Sequence, residues 1–335
     1  MISGLSVPSY NEPAKSAVGR ASREDLMVED QAISTAMPLF SIIIAVYNDW
    51  IELDACLHSL AQQVQGPGFE VIVVDDGSTE AAPEVIRQWV RRLPLSIVRQ
   101  PHAGISAARN RGIQISRGSV LLFTDADCRT QSNCLAALAA ASSDAPQHNC
   151  FQLHLVGDCS TRVGRAEELR LRTFQAHMLQ PDGRIRYLNT AGFAIRRTRV
   201  NVDEGLFDPV AWRAEDTLLL ANLMQDGELP LFVANARIQH TIPLSLIECL
   251  FKDVRSAYLE GRTYDLISAK GIRIRMSHRE RLSLLWSAWK ASGQPSIGRS
   301  GWVVLTIRQA LQRTVSFGFG CLRIRPRARI STSVP

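Results

Sequence analysis

The chain has 335 residues, 46% of them hydrophobic, and a formal net charge of +6. This composition excludes a disordered chain, and the lack of an apolar run of about 18 residues predicts no membrane-spanning helix. Acidic residues interrupt the first 30 positions, so we expect no signal peptide. The seven cysteines show no Cys-x-x-Cys spacing, which argues against a disulfide framework or a cysteine zinc site and favours a cytoplasmic location.

The first half of the chain alternates strand-like and helix-like segments. Residues 1–37 are polar and without periodicity, which predicts a mobile extension. Beyond them, runs of branched residues are apolar on both faces, as in buried parallel strands, and amphipathic stretches separate the runs. The alternation predicts a doubly wound, mostly parallel α/β sheet flanked by helices. The predicted strands are 41–46, 71–74 and 120–123, and the predicted helices are 50–64, 83–90 and 107–115.

The second half is predicted to contain more helix than strand. Its longer amphipathic stretches indicate helices, and its shorter apolar runs indicate strands. No internal repeat is visible. The predicted strands are 151–156, 193–195 and 231–238, and the predicted helices are 135–141, 166–179, 217–224, 245–260 and two more within 280–322.

Acidic side chains stand at the ends of the first three strands. In open α/β sheets, ligands bind beyond the carboxyl ends of the strands. Five aspartates at one edge would repel one another without a cation, and oxygen-rich sites of this kind suit Mg²⁺ or Mn²⁺ with a diphosphate. Each segment taken alone is also typical of a turn or a helix cap. The five residues are Asp49, Asp75, Asp76, Asp125 and Asp127.

Four segments together resemble the family 2 glycosyltransferases, in that family's order and spacing. The resemblance covers about residues 39–261. It implies a GT-A fold and the transfer of a sugar from a nucleoside diphosphate sugar with inversion at the anomeric carbon. The segments are Ser41-Ile-Ile-Ile-Ala-Val-Tyr-Asn48, Val71-Ile-Val-Val-Asp-Asp-Gly-Ser-Thr79, Gly104-Ile-Ser-Ala-Ala-Arg-Asn-Arg-Gly112 and Leu121-Leu-Phe-Thr-Asp-Ala-Asp127.

The resemblance and the composition predict three regions. The N-terminal extension is 1–37, the GT-A domain is 38–261, and a C-terminal extension of basic amphipathic helices is 262–335. Within the domain we expect a nucleotide-sugar half at 38–130 and an acceptor half at 131–261. The last region carries 14 Lys and Arg against 2 Asp and Glu, a net charge of +12, so the first 261 residues carry −6.

The resemblance implies nucleotide-sugar contacts for five residues of the first half. Ala45 and Tyr47 would line the nucleobase pocket, with the Tyr47 ring as a stacking face. Asp76 would accept a hydrogen bond from a pyrimidine base, by default the uracil of a UDP-sugar. Arg109 would face the diphosphate, because its planar fork of donors suits phosphate oxygens. Asp125 would contact the ribose or reach a metal ion through water.

The Asp125-Ala-Asp127 segment resembles the family's metal motif. Asp127 is the expected direct ligand of Mn²⁺ or Mg²⁺, which would neutralise charge on the leaving diphosphate. His240 follows a strand-like segment and is a candidate second ligand. A lone histidine is also often structural, so both roles stay open for His240.

The acceptor side is expected to carry the catalytic base. Glu215-Asp216 precedes a predicted helix and resembles the family's acidic pair, whose second member deprotonates the acceptor hydroxyl. Asp216 is therefore the expected base. The same position is typical of a helix N-cap, which would hold the carboxylate ionised at neutral pH. Gly192, Phe193 and Glu215 are expected to shape the pocket for the acceptor and donor sugar, although Phe193 also suits a core position.

The basic C-terminal helices are expected either to lie on an anionic membrane through residues 280–330 or to pack against the domain. Basic amphipathic helices with aromatic residues lie on membrane surfaces, and a solvated basic helix pair is the simpler alternative. No nucleic-acid-binding fold accompanies the charge, so we expect no nucleic acid partner. The predicted apolar face of the last helix consists of Val304, Ile307, Leu311 and Val315, with Arg308, Gln309, Gln312 and Arg313 on the polar face.

The combined expectation is the addition of a single sugar to a saccharide or lipid-linked hydroxyl acceptor in polysaccharide assembly. The Gln-x-x-Arg-Trp motif of processive synthases is not found, and residues 252–258 are its nearest counterpart. The expected location is cytoplasmic, peripheral on the cytoplasmic face of the inner membrane. A nucleotidyltransferase or a Rossmann oxidoreductase would need a glycine-rich loop after the first strand, which this chain lacks. The alternative is a degenerate nucleotide-sugar-binding assembly partner, which we expect to have lost Asp127 or Asp216.

Overall fold

The computed structural model describes residues 26–27 and 37–322, apart from 65, 212, 273 and 275. Most of the predicted N-terminal extension and the basic end of the tail lie outside the described residues. The described residues form one nine-stranded sheet. The strands are β1 (Leu26–Met27), β2 (Phe40–Val46), β3 (Phe69–Asp75), β4 (Leu95–Arg99), β5 (Val120–Asp125), β6 (Cys128–Thr130), β7 (Cys150–Gly157), β8 (Phe193–Arg196) and β9 (Leu231–His240).

The strand order is β1-β4-β3-β2-β5-β8-β7-β9-β6. The pairs β2–β3, β2–β5, β3–β4 and β7–β9 are parallel, and the other four neighbouring pairs are antiparallel. The predicted α/β fold is confirmed, but the sheet is mixed and not mostly parallel. The main reason is that β8 lies between β5 and β7 and runs against both. The two predicted halves of the domain therefore share one sheet.

Helices cover both faces of the sheet, because alternate side chains of β2 enter different cores. Ile42 and Ile44 pack in the core that includes α1 and α4. Ile43 packs on the opposite face with residues of α3 and α6. The helices are α1 (Trp50–Ala61), α2 (Glu84–Gln88), α3 (Ile105–Ile115), α4 (Cys134–Asp144), α5 (Arg162–Met178), α6 (Glu215–Gln225), α7 (Leu246–Ala269), α8 (His278–Ala291) and α9 (Gly298–Leu322).

The C-terminal helices pack on the domain. Val304 and Leu305 of α9 share a buried cluster with Ala166 and Leu169 of α5. The boundary predicted at residue 261 falls inside α7, which continues unbroken to Ala269. No helix in the described ranges is long and apolar enough to cross a membrane.

The predicted polarity of α9 is partly wrong. Ile307, assigned to the apolar face, is 45% exposed. Arg308, assigned to the polar face, points inward and forms a two-bond ion pair with Asp253 of α7, at 2.7 and 2.9 Å. The inward face thus includes a charged residue because a buried carboxylate on α7 offers it a partner.

Candidate active site

The carboxyl ends of β2 and β5 open into a cleft of about 2600 Å³. A pocket for one drug-sized ligand is about 300–1000 Å³, so this cleft has room for two substrates. Residues of α5, α6, α7, α8 and α9 also line this cleft. The predicted site residues that line the cleft are Ala45, Arg109, Asp125, Asp127, Glu215, Asp216 and His240.

Asp76 is buried beyond the end of β3 and organises the turn into α3. Its Oδ1 accepts hydrogen bonds from Gln100 Nε2 at 2.7 Å and Ala103 N at 2.9 Å. Its Oδ2 accepts one from Gly104 N at 2.9 Å. Gly104 has a φ of 93°, a conformation that favours glycine. The hydrogen bond predicted between Asp76 and a nucleobase stays a prediction.

An aromatic pair stands at the end of β2. The rings of Tyr47 and His102 have centroids 4.5 Å apart and an interplanar angle of 33°. Tyr47 is 42% exposed, and His102 Nδ1 lies 2.9 Å from Asp76 Oδ2. The pair offers an accessible aromatic face, as base stacking requires.

Arg109 joins the end of β5 to the first turn of α6. Its fully buried guanidinium donates from Nη2 to Asp125 Oδ1 at 2.8 Å and from Nη1 to Glu215 Oε1 at 2.6 Å. Burial alone would lower the pKa of Arg109, but the two carboxylates raise it. Both terminal nitrogens of Arg109 are therefore bound by protein carboxylates. The predicted contact of Arg109 with a diphosphate stays a prediction.

Asp127 and His240 meet because β6 pairs with β9, which sets Cys128 opposite His240. His240 Nε2 lies 3.4 Å from Asp127 Oδ2, and His240 Nδ1 lies 3.4 Å from Glu167 Oε1. Burial opposes the charge on His240, yet the two carboxylates raise its pKa to about 10. The pKa of Asp127 is lowered despite burial, chiefly by His240.

The Asp127–His240 pair suits a divalent ion that is shared with a diphosphate. Among the described residues, no group of three or more Asp, Glu, His or Cys side chains could hold a metal by itself. Mg²⁺ and related ions are usually bound by one or two side chains, with substrate phosphates and water filling the other positions. An adjacent carboxylate oxygen and an imidazole nitrogen fit that arrangement once the metal displaces the proton on Nε2.

Asp216 lies partly accessible on the lining of the cleft, in the first turn of α6. The residue before the helix is Ala214, whose φ of 58° is unusual for a residue other than glycine, so Asp216 is not the N-cap. Asp216 Oδ1 accepts a hydrogen bond from Thr217 N at 2.6 Å. Burial and the neighbouring Glu215 raise the pKa of Asp216 to about 7. The expectation of a fully ionised cap is therefore wrong, and the carboxyl titrates near neutrality.

The structure places Gly192 and Phe193 behind the cleft. A Cβ on Gly192 would lie 2.8 Å from Leu155 Cδ2, so its small size serves core packing. Phe193 is fully buried and stacks on Phe123 with centroids 6.3 Å apart. Asn189 and Thr190 line the cleft in their place. The segment preceding β8 therefore lines the cleft through Asn189 and Thr190 and not through the predicted Gly192 and Phe193.

Sequence reasoning missed three charged or aromatic residues of this region. His102 pairs with Tyr47, and Glu167 contacts His240 from α5. Lys252 lines the cleft from α7. Burial and Asp127 raise the pKa of Asp49 above its usual range, and Lys252 opposes part of that rise. None of the three lies in a recognisable motif, and each reaches the site only through tertiary contacts.

The fold is of the GT-A type. The structure of S. aureus TarS 1–349 is similar, with a TM-score of 0.51 and 19% identity over 85% of this chain and 92% of that one. The mannosyltransferase PcManGT from Pyrobaculum calidifontis, in complex with GDP-Man and Mn²⁺, gives a TM-score of 0.54 and 17% identity over 87% and 82%.

Residues 41–203 match the sequence model of Glycosyl transferase family 2. The chain is 33% identical to the validoxylamine A glucosyltransferase of Streptomyces hygroscopicus over 36% of this chain and 28% of that protein. It is 39% identical to the PGL/p-HBAD biosynthesis glycosyltransferase of Mycobacterium bovis over 31% and 42%. The chain thus spans less than half the length of these curated relatives.

Proposed function

We propose that the chain transfers a single sugar from a nucleoside diphosphate sugar, by default a UDP-sugar, to a hydroxyl group with inversion. The bridge of Arg109 between Asp125 and Glu215 carries this proposal, because it holds the donor strand end beside the helix that bears Asp216. Two proteins of similar fold have structures with UDP-GlcNAc and with GDP-Man, which supports a nucleotide-sugar ligand.

In the proposed donor complex, the base stacks on the accessible face of Tyr47 and hydrogen-bonds to Asp76. Ala45 contacts the base beside them, and Asp125 contacts the ribose. The rigid hydrogen bonding around Asp76 supports this role, because a pre-organised acceptor loses little entropy when the ligand binds.

In the proposed mechanism, Asp127 and His240 are the residues that would hold Mn²⁺ or Mg²⁺. When bound, the ion supplies Lewis-acid stabilisation of the charge that develops on the leaving diphosphate. Asp216 takes the proton of the acceptor hydroxyl, whose oxygen attacks the anomeric carbon from the face opposite the diphosphate. The bond from that carbon to the diphosphate oxygen breaks, and the nucleoside diphosphate leaves with the bonding electrons. A pKa near 7 suits a general base at neutral pH.

The proposed acceptor is a lipid-linked saccharide, reached from the cytoplasmic face of the inner membrane. Supporting this, Leu282 and Trp286 on α8 are 63% and 59% exposed, and Lys290 Nζ lies 5.5 Å from the Trp286 ring centroid. Exposed aromatic and cationic groups of this kind bind anionic lipid surfaces. Co-sedimentation with anionic vesicles tests the idea: we expect salt-sensitive binding that Trp286→Ser weakens, and no binding at low salt would overturn it.

The decisive experiment for the chemistry is a donor screen. Purified protein is incubated with Mn²⁺ or Mg²⁺ and a panel of nucleoside diphosphate sugars, and release of the nucleoside diphosphate is measured together with thermal shift. We expect slow hydrolysis or stabilisation with one donor, lost in Asp127→Ala. Absence of binding to every donor, with no effect of EDTA, would overturn the transferase and favour a degenerate assembly partner.

A further inference from the structure

A buried carboxylate lies directly behind the candidate metal pair. The Glu167 side chain on α5 is 3% exposed, and its Oε1 is 3.4 Å from His240 Nδ1. The other ring nitrogen, Nε2, is 3.4 Å from Asp127 Oδ2. The imidazole of His240 is therefore held at both nitrogens, with Asp127 on one side and Glu167 on the other.

Glu167 is itself held by a rigid partner. Arg170, one helical turn later, donates from Nε to Oε2 at 2.8 Å and from Nη2 to Oε1 at 2.5 Å. A two-bond guanidinium–carboxylate contact fixes both the position and the plane of the carboxylate. The helix that carries the pair is packed in turn, because Ala166 and Leu169 lie in one cluster with residues of α9.

We infer that Glu167 is a positioning residue that orients the His240 ring so that Nε2 faces the metal and the diphosphate. In metal sites, a ligating histidine usually donates its other ring N–H to a carboxylate, which fixes the orientation and tautomer of the ring. Glu167 stands where that acceptor is required. Its side chain is only 3% exposed and both of its oxygens are bound by Arg170, so we place its action on His240. The inference rests on the proposed metal role of Asp127 and His240.

Mn²⁺ affinity, measured by electron paramagnetic resonance with Mn²⁺ alone and with saturating UDP, tests the inference without any turnover. Loss of such a supporting contact typically weakens metal binding 10- to 100-fold, so we expect a loss in that range for Glu167→Gln. The matched control is Glu168→Gln on the same helix, whose carboxylate instead accepts a hydrogen bond from Gly157 N at 2.7 Å. We expect its Mn²⁺ affinity to equal that of the wild type.

A double-mutant cycle separates positioning from general structural damage. If Glu167 acts through His240, Glu167→Gln adds no further loss of Mn²⁺ affinity in a His240→Gln background. An equal loss in both backgrounds, or wild-type affinity in Glu167→Gln, would overturn the inference. Should Glu167→Gln fold poorly, the pair variant Glu167→Gln/Arg170→Met removes both charges of the ion pair and serves in the same cycle.

Asp127→Asn distinguishes this inference from the proposed function. Loss of Mn²⁺ binding in Asp127→Asn with wild-type affinity in Glu167→Gln would overturn the role of Glu167 alone. Unchanged Mn²⁺ binding in Asp127→Asn would overturn the metal site and, with it, the inference.

Discussion

The two sides of the cleft hold their carboxylates in different ways. On the donor side, backbone amides are among the donors: Asp76 accepts from Ala103 N and Gly104 N beside Gln100 Nε2, and Asp75 accepts from Ser78 N beside an ion pair with Arg99. Where the donor side meets the acceptor side, charged side chains hold the carboxylates over long separations. Arg109 and Glu215 are 106 positions apart, and Asp127 and His240 are joined through a strand pair from distant parts of the chain.

The difference indicates how each side depends on the rest of the fold. Turn geometry and nearby backbone donors define the donor side. The junction between the two sides requires buried ion pairs, and removal of one partner leaves the other charge buried without compensation. We therefore expect substitutions at this junction to change stability and activity together, whereas the donor loop tolerates change more readily.

The largest expected effect is on activity, in Asp127→Asn. In the proposed mechanism Asp127 would bind the metal, and its loss would remove several kcal/mol of transition-state stabilisation, so we expect turnover to fall ~10³-fold or more. Turnover is measured as release of the nucleoside diphosphate from the donor that the screen identifies. Asp182→Asn, in an exposed turn, is the control and should retain full activity. Comparable activity of Asp127→Asn and this control would break the assignment.

Asp216→Asn is expected to lower turnover by about 10²- to 10⁴-fold while leaving donor binding intact, because a general base contributes about that much. In the unmodified protein, the raised pKa keeps Asp216 protonated below pH 7. The rate should therefore rise with pH up to about 7 and then level off. A rate that is flat from pH 5 to 9 would contradict the assignment of the base.

The same variant should gain stability above pH 7. Because the pKa of Asp216 is raised in the folded protein, the native state holds a proton that the unfolded chain releases from about pH 4 upwards. The free energy of unfolding therefore falls as pH rises towards 7, and an uncharged amide avoids that loss. Melting curves at pH 8 check this, and a lower melting temperature for Asp216→Asn would contradict it.

Arg109→Met tests whether the ion pairs of Arg109 with Asp125 and Glu215 stabilise the fold. Removing a buried cation leaves Asp125 and Glu215 uncompensated, so we expect a loss of about 3–5 kcal/mol in the free energy of unfolding. Arg111→Met on the same helix is the control, and its effect should stay within about 0.5 kcal/mol. Both are measured by chemical denaturation. An Arg109→Met protein as stable as the control would show that the sides are held by packing alone.

The sequence predicted the features that depend on local contacts better than those that depend on contacts between distant parts of the chain. The motifs that end β2, β3 and β5 predicted the fold and most cleft-lining residues of the donor side, because local turn chemistry leaves a local pattern. Three-residue β6 is too short to show a pattern, yet it brings Asp127 to His240. Glu167 and Lys252 carry no motif and reach the cleft only through helix packing. Periodicity also misplaced Arg308, since it cannot reveal a buried acid on another helix.

The smallest expected effect concerns how α9 is attached to the acceptor side. Arg308→Met leaves the buried Asp253 without its two-bond partner, and loss of hydrogen bonds to a charged group costs ~2 kcal/mol. Arg313→Met, five residues along the same helix and lining the cleft, should stay within about 0.5 kcal/mol. Adding Asp253→Asn should restore part of the loss, because it removes the uncompensated charge. If Arg308→Met and Arg313→Met lower the free energy of unfolding equally little, α9 is held by its apolar contacts with α5 alone. Long-range ion pairs would then stabilise the cleft but not the attachment of α9.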